Sequence, residues 1–326
     1  DNLSAAFNAA LETGEKPYAS ITALRKAARE AGMEVGENGE TDIKIQELVE
    51  DALVSVARGI MRQARITGQR EIHKFRKETF EKIKLLYNLQ PTISMRSSNR
   101  VALQQYSTPL PMAFVADMFA TGRIMRMFFS ALEPTAGNGM LVFGIDAKRV
   151  HVNEIDENRL ENLRGQGLTS QDATQPFKQD QYYDAIITNP PFGEAEAKDY
   201  DGYKISGLAQ QIALNALSKM RDFGKAVIII GGKQEFAPNG AIKNDKPFLT
   251  YLYNHYNVKG VIDMEGSLYA KQGTTFPTRM ILIDGRRTDE ERAKSDVYPP
   301  TIKDWLPKAD SFDKLYDTVK SLMESK

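Results

Sequence analysis

The chain of 326 residues is long enough for one large domain and a smaller one. Its hydrophobic content of 41% and its charged content of 26% are ordinary for a globular protein, and its formal net charge is zero. It has no apolar run near the roughly 20 residues of a membrane helix, and its start lacks the pattern of a secretory signal. These features predict a cytoplasmic protein that makes no contact with a membrane.

The chain contains no cysteine and only three histidines, which are scattered at His73, His151 and His255. The lack of cysteine excludes disulfides, zinc sites built on thiolates, and enzymes that attack through a cysteine thiolate. We therefore expect no bound metal. The chain begins with Asp1 rather than Met, which suggests a processed product or a piece of a larger polypeptide.

Charge is unevenly distributed along the chain. Residues 1–57 carry a net charge of −6, whereas residues 58–100 contain 11 basic and 3 acidic residues. A basic segment of this kind can neutralise phosphates of a nucleic acid, although a solvated helix face is an equally good interpretation. The side chains predicted to contact a DNA backbone are Arg62, Arg65, Lys74 and Lys77.

The first hundred residues have helical patterns. Ser20 can cap a helix over residues 21–29, and a loop is then indicated by Gly32, Gly36 and Gly39. A second helix is predicted from Asp42 onward, and a third over residues 71–87. Their apolar positions are Ile45, Leu48, Val49, Leu53, Val56 and Ile60 in the second helix, and Ile72, Phe75, Phe80, Ile83 and Leu86 in the third. Pro91 and the polar residues 94–99 predict a linker, so residues 1–100 are expected to form a helical N-terminal region.

From Val101 onward, short apolar runs alternate with helical patterns. The predicted strands are 128–132, 149–152, 183–188, 226–230, 259–263 and 279–284, and the predicted helices are 112–119, 156–163, 208–221 and 247–256. This alternation predicts a doubly wound, mostly parallel α/β sheet over residues 101–290. The last two strands follow each other without a helix, which predicts a terminal antiparallel hairpin. Residues 291–326 form a charged tail with a predicted helix over 312–323.

A glycine-containing loop follows the first predicted strand. Gly137 and Gly139, two residues apart, let the backbone turn sharply and approach a ligand, and we expect the helix after them to point its N-terminus at that ligand. The next strand ends in Glu154, 17 positions after Gly137, where a carboxylate meets ribose hydroxyls in nucleoside-binding α/β folds. The strand after that ends near Asp172, which can accept a hydrogen bond from an adenine amino group.

Taken alone, two glycines in this spacing also fit an ordinary tight turn. The third glycine of the dinucleotide fingerprint is absent, because Val142 occupies its place, and this argues against a nicotinamide cofactor. The full order from Glu133-Pro134 through the glycines to Glu154 and Asp172 is far more specific.

The sequence Asn189-Pro190-Pro191-Phe192 is the strongest signal in the chain, and it follows directly on a buried strand. A rigid Pro-Pro turn that merely closes the strand is the alternative interpretation. The residue types suit methyl transfer to an amino group conjugated with a ring, which is a poor nucleophile. The side-chain oxygen of Asn189 and the carbonyl of Pro190 can accept from such an amine, and the prolines fix these acceptors in place. Phe192 offers a flat aromatic face on which a base flipped out of a nucleic-acid duplex can stack.

These motifs together resemble the gamma class of N6-adenine DNA methyltransferases over residues 101–284. In that class a segment reading roughly Phe-Tyr-Thr-Pro precedes the glycine loop, and here Gln105-Tyr106-Ser107-Thr108-Pro109 occupies the place, with Ser107 where the family usually has an aromatic residue. The resemblance implies a seven-stranded Rossmann-like methyltransferase sheet and S-adenosylmethionine as the cofactor. The Gln-Tyr-Ser-Thr-Pro and Glu-Pro-Thr-Ala-Gly forms look most like methylase modules of large helicase-linked proteins on phages and mobile elements.

The resemblance also assigns roles to individual residues. Thr108 and its neighbours would contact the methionine end of the cofactor, Glu133 its amino group, Glu154 the ribose, and Asp172 the adenine, with Ile155 packed on the adenine ring. The full expected set of cofactor residues is Thr108, Pro109, Glu133, Pro134, Gly137, Gly139, Glu154, Ile155, Asp172, Ala173 and Asn189.

The family further places an aromatic side chain in a late loop, where it holds the flipped base against the catalytic-loop aromatic. Tyr269 is the predicted partner of Phe192, with Phe276 as the second candidate; either ring could instead pack at the sheet edge. The predicted activity is therefore methylation of adenine N6 in double-stranded DNA, with Asn189, Pro190, Pro191 and Phe192 as the catalytic residues.

Three alternatives stay open. Asn-Pro-Pro-aromatic loops also occur in enzymes that methylate guanine amines in RNA and in enzymes that methylate a protein glutamine. A non-catalytic module that binds cofactor or DNA is the third. Only about forty residues follow the last predicted strand, so no target-recognition domain is expected there. Sequence reading would then fall to the N-terminal region, to further domains of a larger polypeptide, or to a separate specificity partner.

Overall fold

A computed structural model describes residues 2–35, 39–67, 72–92, 107–122, 129–163, 167–178 and 180–325, and within helices it leaves the side chains of 39–43, 65–67, 72–75 and 158 undescribed. In these ranges no helix is both long and apolar enough to cross a lipid bilayer.

The N-terminal region is helical, as predicted. It comprises α1 (Asn2–Thr13), α2 (Ile21–Glu30), α3 (Gly39–Thr67) and α4 (Ile72–Leu89). The predicted cap of α2 is confirmed, because the Ser20 hydroxyl accepts a 3.2 Å hydrogen bond from the backbone N–H of Ala23. The loop predicted over the three glycines is shorter than expected, since Gly39 already belongs to α3.

The apolar faces of α3 and α4 are mostly as predicted. Ile45, Val49, Leu53 and Val56 are buried, but Leu48 is 39% exposed and lies at the rim of the stripe rather than inside it. Ala52 and Ala57 complete the buried face instead. In α4 the buried positions include Phe80, Ile83 and Leu86, whereas the side chains of Ile72 and Phe75 lie outside the described part of the chain.

The central sheet has seven strands and confirms the predicted architecture. The strands are β1 (Ala131–Glu133), β2 (Val150–Asn153), β3 (Leu168–Thr169), β4 (Tyr183–Thr188), β7 (Met220–Gly231), β8 (Tyr256–Met264) and β9 (Thr278–Arg286). Their spatial order is β3-β2-β1-β4-β7-β9-β8. The first five in this order pair in parallel, and β9 runs antiparallel to both β7 and β8.

A separate two-stranded hairpin follows the Asn189–Phe192 loop and was not predicted. It consists of β5 (Glu194–Tyr200) and β6 (Tyr203–Gly207). The strands are rich in charged residues and largely solvent-facing, so they lack the apolar pattern that would indicate a strand. The buried side chain of Gln211 stabilises the hairpin by donating to the carbonyls of Glu196 and Ile205.

The helices of the α/β part are α5 (Leu110–Thr121), α6 (Glu157–Leu160), α7 (Leu208–Leu217), α8 (Lys246–His255), α9 (Asp289–Lys294) and α10 (Phe312–Glu324). The helix expected after the glycine loop is absent, and a 3₁₀ turn over Met140–Val142 takes its place. Residues 140–143 are all apolar and buried, so this segment has no face for solvent and cannot form an amphipathic surface helix. The predicted helix over 156–163 shortens to the four residues of α6.

Hydrophobic cores cover both faces of the sheet. Along β4, Ala185 and Ile187 point into one core and Ile186 into the other, as the period of two requires. The first core contains side chains of α1, α3, α4, α5 and α10, and the second contains those of α7 and α8. The segments predicted as 1–100, 101–290 and 291–326 therefore share a single core on one face of the sheet.

Arg279 on β9 is a fully buried cation at the end of the sheet. Its guanidinium donates to Asp263 at 2.8 Å and to Asp245 at 3.1 Å, and its Cζ lies 5.4 Å from the ring of Trp305. The Trp305 indole N–H donates to the other oxygen of Asp263 at 2.7 Å. The loop after β7, the start of α8 and the C-terminal segment are thus joined through one charged side chain.

Replacing Arg279 with methionine should lower the free energy of unfolding by about 3–5 kcal/mol, because it leaves the Asp263 and Asp245 carboxyl groups without their buried cation. Urea unfolding followed by circular dichroism measures this loss. The control is Lys294→Ala, which breaks an exposed i,i+4 pair with Glu290 and should cost below about 1 kcal/mol. Equal losses in the two variants would contradict the argument.

Candidate active site

A cavity lies at the carboxyl ends of β1, β2 and β4. It brings together nearly all the residues predicted to bind the cofactor or to catalyse, namely Thr108, Glu133, Pro134, Gly137, Glu154, Ile155, Asp172, Ala173, Asn189, Pro190, Pro191 and Phe192. Two predicted residues do not line it. Pro109 caps the start of α5, and Gly139 lies in a left-handed conformation (φ 75°) at the start of the 3₁₀ turn.

Glu133 ends β1 and is a buried carboxyl group in the cavity wall, 1% exposed. Its Oε1 accepts from the N–H of Thr135 at 3.1 Å and from the Thr135 hydroxyl at 3.3 Å. Its Oε2 is buried and has no hydrogen-bond partner among the described residues. Burial raises the pKa of Glu133 to about 8. A ligand cation placed at Oε2 would give this oxygen a partner and would stabilise the ionised carboxylate that burial disfavours.

Glu154 follows β2 and holds the glycine loop. Its Oε2 accepts from the N–H of Gly137 at 2.6 Å, and its Oε1 accepts from the N–H groups of Ile155 and Asp156, both at 2.9 Å. The side chain of Ile155 is 62% exposed although it is aliphatic and borders the cavity. An exposed apolar side chain beside a fixed carboxyl group suits the ribose and base of a nucleoside.

Asn153 joins the ends of three strands and was not among the predicted site residues. Its amide N–H₂ donates to the carbonyls of Pro134 at 3.0 Å and Gln171 at 2.9 Å, and its Oδ1 accepts from Thr169 Oγ1 and the N–H of Gln171. In the sequence, Asn153 could have been recognised as an amide side chain at the end of β2, where the other inward-facing residues are apolar. A buried amide with all these bonds fixes the floor of the cavity.

Asp172 lies beyond β3 and faces solvent at the rim of the cavity. Its Oδ1 accepts from the Thr174 hydroxyl at 2.7 Å and the Thr174 N–H at 2.9 Å, and these two bonds lower the pKa of Asp172. The neighbouring backbone is tied to the rest of the fold by Asn215, which donates to the carbonyl of Ala173, and by Lys198 of β5, which donates to the carbonyl of Thr174.

The Asn189–Phe192 loop opens into the same cavity at the end of β4. Asn189 Nδ2 donates to Thr108 Oγ1 at 2.9 Å, so the amide nitrogen is occupied and the amide has a fixed orientation. Pro190 is buried, while Asn189, Pro191 and Phe192 are half-buried. Thr108 and Asn189, both predicted to bind the cofactor and 81 positions apart in the sequence, are therefore in direct contact.

Of the two aromatic candidates, Phe276 is the one beside Phe192. Their ring centroids are 6.0 Å apart with an interplanar angle of 41°, and Phe276 is 42% exposed. Gly231 makes this approach possible, because a Cβ there would lie 2.9 Å from the ring of Phe276 and 3.2 Å from that of Phe192. Tyr269, the first choice from the sequence, is 1% exposed within the 3₁₀ turn Gly266–Gln272.

The burial of Tyr269 argues against its stacking on a base. Burial raises the pKa of its hydroxyl, and neighbouring side chains of Thr278 and Asn189 act in the opposite direction. The turn Gly266–Gln272 directs the Tyr269 ring into the core.

Of the four residues predicted to contact a DNA backbone, Arg62 and Lys77 have described side chains, and Lys77 is engaged in ion pairs. Lys77 pairs with Asp313 at 2.9 Å and with Glu81 at 3.2 Å, and Lys84 joins the same group. This cluster of two lysines and two carboxylates offers phosphate no net attraction. Arg62 is exposed on α3, and the side chains of Arg65 and Lys74 lie outside the described residues.

No protein-family model matches the chain, and no curated protein has a significantly similar sequence. Solved structures with a similar fold include a protein of Listeria monocytogenes assigned to the class I S-adenosylmethionine-dependent methyltransferases, at 13% identity, over 84% of this chain and 91% of that one, with a TM-score of 0.49. The methyltransferase subunit of a type I restriction-modification system from Streptococcus thermophilus shares 14% identity over 98% and 92%, with a TM-score of 0.48.

An rRNA methylase from Streptococcus thermophilus shares 15% identity over 53% of this chain and 96% of its own, with a TM-score of 0.35. At these identities and TM-scores the likeness is one of fold. Substrate and activity have to be argued from the side chains of the cavity.

The raised pKa of Glu133 makes stability depend on pH. The folded protein keeps this proton up to about pH 8, whereas the unfolded chain releases it near the ordinary value of 4.5. Stability should therefore fall as pH rises through this window, by up to about 1.4 kcal/mol per unit. Glu133→Gln removes this dependence, so the variant should gain stability relative to wild type between pH 5 and pH 8.

Urea unfolding of ligand-free protein at several pH values checks the slope. Asp172→Asn is the matched control. Its pKa is lowered, so its contribution is complete above the ordinary pKa of an aspartate and is lost only as pH falls below it. Its difference from wild type should stay constant from pH 5 to pH 8. Parallel pH profiles of wild type and Glu133→Gln would contradict the ionisation argument.

Proposed function

We propose that this protein transfers a methyl group from S-adenosylmethionine to the N6 amino nitrogen of adenine in DNA. The observation that supports this most directly is the bond between Asn189 Nδ2 and Thr108 Oγ1. It occupies the nitrogen end of the amide, and the carbonyl oxygen is then the end that can accept from a substrate amine. A fixed acceptor at the edge of a nucleoside-type cavity fits methyl transfer to an amino group.

The cavity residues fit the cofactor in charge and polarity. The unpaired Oε2 of Glu133 suits the ammonium of its methionine part, and Glu154 and Asp172 offer acceptors to ribose hydroxyls and to the adenine amino group. Ile155 provides an apolar surface for the adenine ring. When bound, the cofactor supplies an electrophilic methyl group on a sulfonium.

The chain's own residues hold and activate the amine. Asn189 Oδ1 and the carbonyl of Pro190 accept its two hydrogens, which localises the lone pair on nitrogen and directs it to the methyl group. Neither oxygen is basic enough to retain a proton, so the proton released after transfer passes to water. Pro190 and Pro191 have fixed φ angles, and the acceptors need no rearrangement at the moment of transfer.

The choice of adenine in DNA rests on two further features. Thr108-Pro109 stands upstream of the glycine loop, as in the gamma class that the sequence resembles, and Thr108 contacts the catalytic asparagine. Phe192 and Phe276 present neighbouring aromatic faces, one of them exposed, at the mouth of the cavity. A base that leaves a duplex can stack on Phe192 while Phe276 closes over it.

Asn189→Ala should lower kcat for methylation of duplex DNA by about 100-fold or more, because one preorganised acceptor of the transferring amine is lost. Labelled methyl transfer, followed by digestion to nucleosides and mass spectrometry for 6-methyladenine, measures the effect. Asn257→Ala is the control: an exposed asparagine on β8 whose amide bonds only the carbonyl of Arg286 among the described contacts, and its activity should match wild type.

The same assay decides the substrate. Unmethylated duplex DNA, RNA of the same sequence and a protein extract are offered in parallel, with cofactor binding measured independently. Transfer to RNA alone or to protein alone would overturn the DNA assignment and keep methyl transfer. Cofactor binding without transfer to any of the three would favour a non-catalytic module.

Phe276→Ala should lower kcat/KM on duplex DNA by about tenfold or more, because base–aromatic stacking contributes roughly 1–3 kcal/mol per base. Tyr269→Phe should stay within about threefold of wild type, since the buried ring is preserved. Steady-state kinetics on one duplex substrate compares the two. A Phe276→Ala variant with the kcat/KM of wild type would contradict the stacking role of Phe276.

A further inference from the structure

We propose that Glu50 of α3 is a positioning residue of the cofactor site, so that the N-terminal helical region forms part of the catalytic unit. This inference rests on the proposed function, since it assigns the role of Glu50 to the same cavity. Glu50 itself does not line the cavity; it acts through two residues that do.

The carboxyl group of Glu50 lies one layer behind the cavity wall and is 1% exposed. Its Oε2 accepts from Ser107 Oγ at 2.7 Å and from Asn138 Nδ2 at 2.7 Å, and its Oε1 accepts from Gln46 Nε2 at 2.9 Å. Ser107 and Asn138 both line the cavity. A single buried oxygen thus joins two separate segments of the wall.

Each of those segments carries part of the predicted chemistry. Ser107 precedes Thr108, whose hydroxyl accepts from Asn189 of the catalytic loop. Asn138 stands between Gly137 and Gly139 and is also bonded to Asn162 through its Oδ1, at 3.3 Å. Displacing the Glu50 carboxyl group would therefore loosen the glycine loop and the segment that fixes the catalytic amide.

The need for such a support follows from the missing helix. In the described chain, a 3₁₀ turn rather than an α-helix follows the glycine loop. The turn is therefore covered by α3 and α5. A second contact from α3 reinforces the first: Glu47 lies 3.6 Å from the guanidinium of Arg159, which lines the cavity next to Glu154.

Ser107 is informative at this position. The resembled family usually has an aromatic residue there, the tyrosine of its Phe-Tyr-Thr-Pro segment, whereas here the short serine side chain places its hydroxyl 2.7 Å from Glu50 Oε2. The serine hydroxyl and the buried glutamate form a matched pair across 57 positions of sequence. Removing the carboxyl group would leave the Asn138 amide and the Ser107 hydroxyl without their acceptor.

Binding of S-adenosylhomocysteine, measured by isothermal titration calorimetry on the full chain, tests the role. Glu50→Ala should raise the dissociation constant about tenfold or more. Glu50→Gln should stay within about threefold, because one amide oxygen can still accept from both Ser107 and Asn138. Asp51→Ala is the control, because Asp51 is the next carboxylate on the same helix and makes no hydrogen bond or ion pair within the described part of the chain; it should match wild type.

Kinetics separate positioning from stability. With duplex DNA, Glu50→Ala should raise KM for the cofactor about tenfold because the glycine loop is loosened, and kcat at saturating cofactor should also fall because the segment that fixes the Asn189 amide is loosened. A folded Glu50→Ala protein with a lower melting temperature but an unchanged dissociation constant would overturn the proposal, because Glu50 would then be structural only. If Glu50→Ala does not fold, Glu50→Asp decides, since its shorter side chain cannot reach both partners and should show the same weakened binding.

Failure of this inference differs from failure of the proposed function. If the wild-type protein binds S-adenosylhomocysteine but does not methylate DNA, the DNA substrate is refuted, and the binding measurements on the Glu50 variants still decide whether Glu50 positions the cofactor site. Wild-type protein that does not bind S-adenosylhomocysteine refutes the cofactor and, with it, this role of Glu50.

Discussion

The parallel pairing of β1 with β2 and β4 is the constraint on which the site depends. The register sets Leu132 beside His151 on one side and beside Ile186 on the other, so the three strands end at the same edge of the sheet. The chain leaves this edge in opposite directions on either side of β1, because β2 and β3 lie to one side and β4 to the other. A crevice forms where the order reverses, and in open α/β sheets ligands bind at this point. Glu133 and Asn189 both line this crevice because the parallel pairing of β1 and β4 brings the ends of the two strands to the same edge.

Buried polar bonds convert this crevice into a fixed site. Asn153 joins the ends of β1, β2 and β3, Glu154 holds the N–H of Gly137, and Thr108 holds the amide of Asn189. Glu50 extends the set to the N-terminal helices through Ser107 and Asn138. Because each of these contacts satisfies a group that is costly to leave unpaired, the cavity wall is ordered before any ligand arrives. The entropy cost of ordering the cavity wall is then part of the folding free energy and does not reduce the affinity for a ligand.

The fold and most of the cavity could be read from the sequence, because they depend on local pattern. Strands with period two, glycines at a strand end and a Pro-Pro turn can each be recognised within a window of about ten residues. What could not be read depends on partners far along the chain. The ring of Tyr269 turns inward because of the 3₁₀ turn around it, and Lys77 is neutralised by Asp313, 236 positions away. The hairpin of β5 and β6 is held by Gln211 rather than by its own hydrophobic pattern. The helix expected after Gly139 is missing because α3 and α5 bury this segment, and the residues of α3 and α5 lie too far away in the sequence to be seen in a local pattern.

The carboxyl groups of the cavity divide the proposed work between binding and catalysis. Glu154 is bonded through both oxygens, whereas Glu133 keeps one buried oxygen without a partner in the described ranges. An ammonium at that oxygen would be present before and after the methyl group leaves. Glu133 would then bind both forms of the cofactor equally, which lowers KM without raising kcat. In the proposed reaction, acceleration has to come from the groups placed against the amine, which are Asn189 and the Pro190 carbonyl. The Thr108–Asn189 bond, which fixes the amide, therefore bears on the rate, and the contacts of Glu133 bear on occupancy.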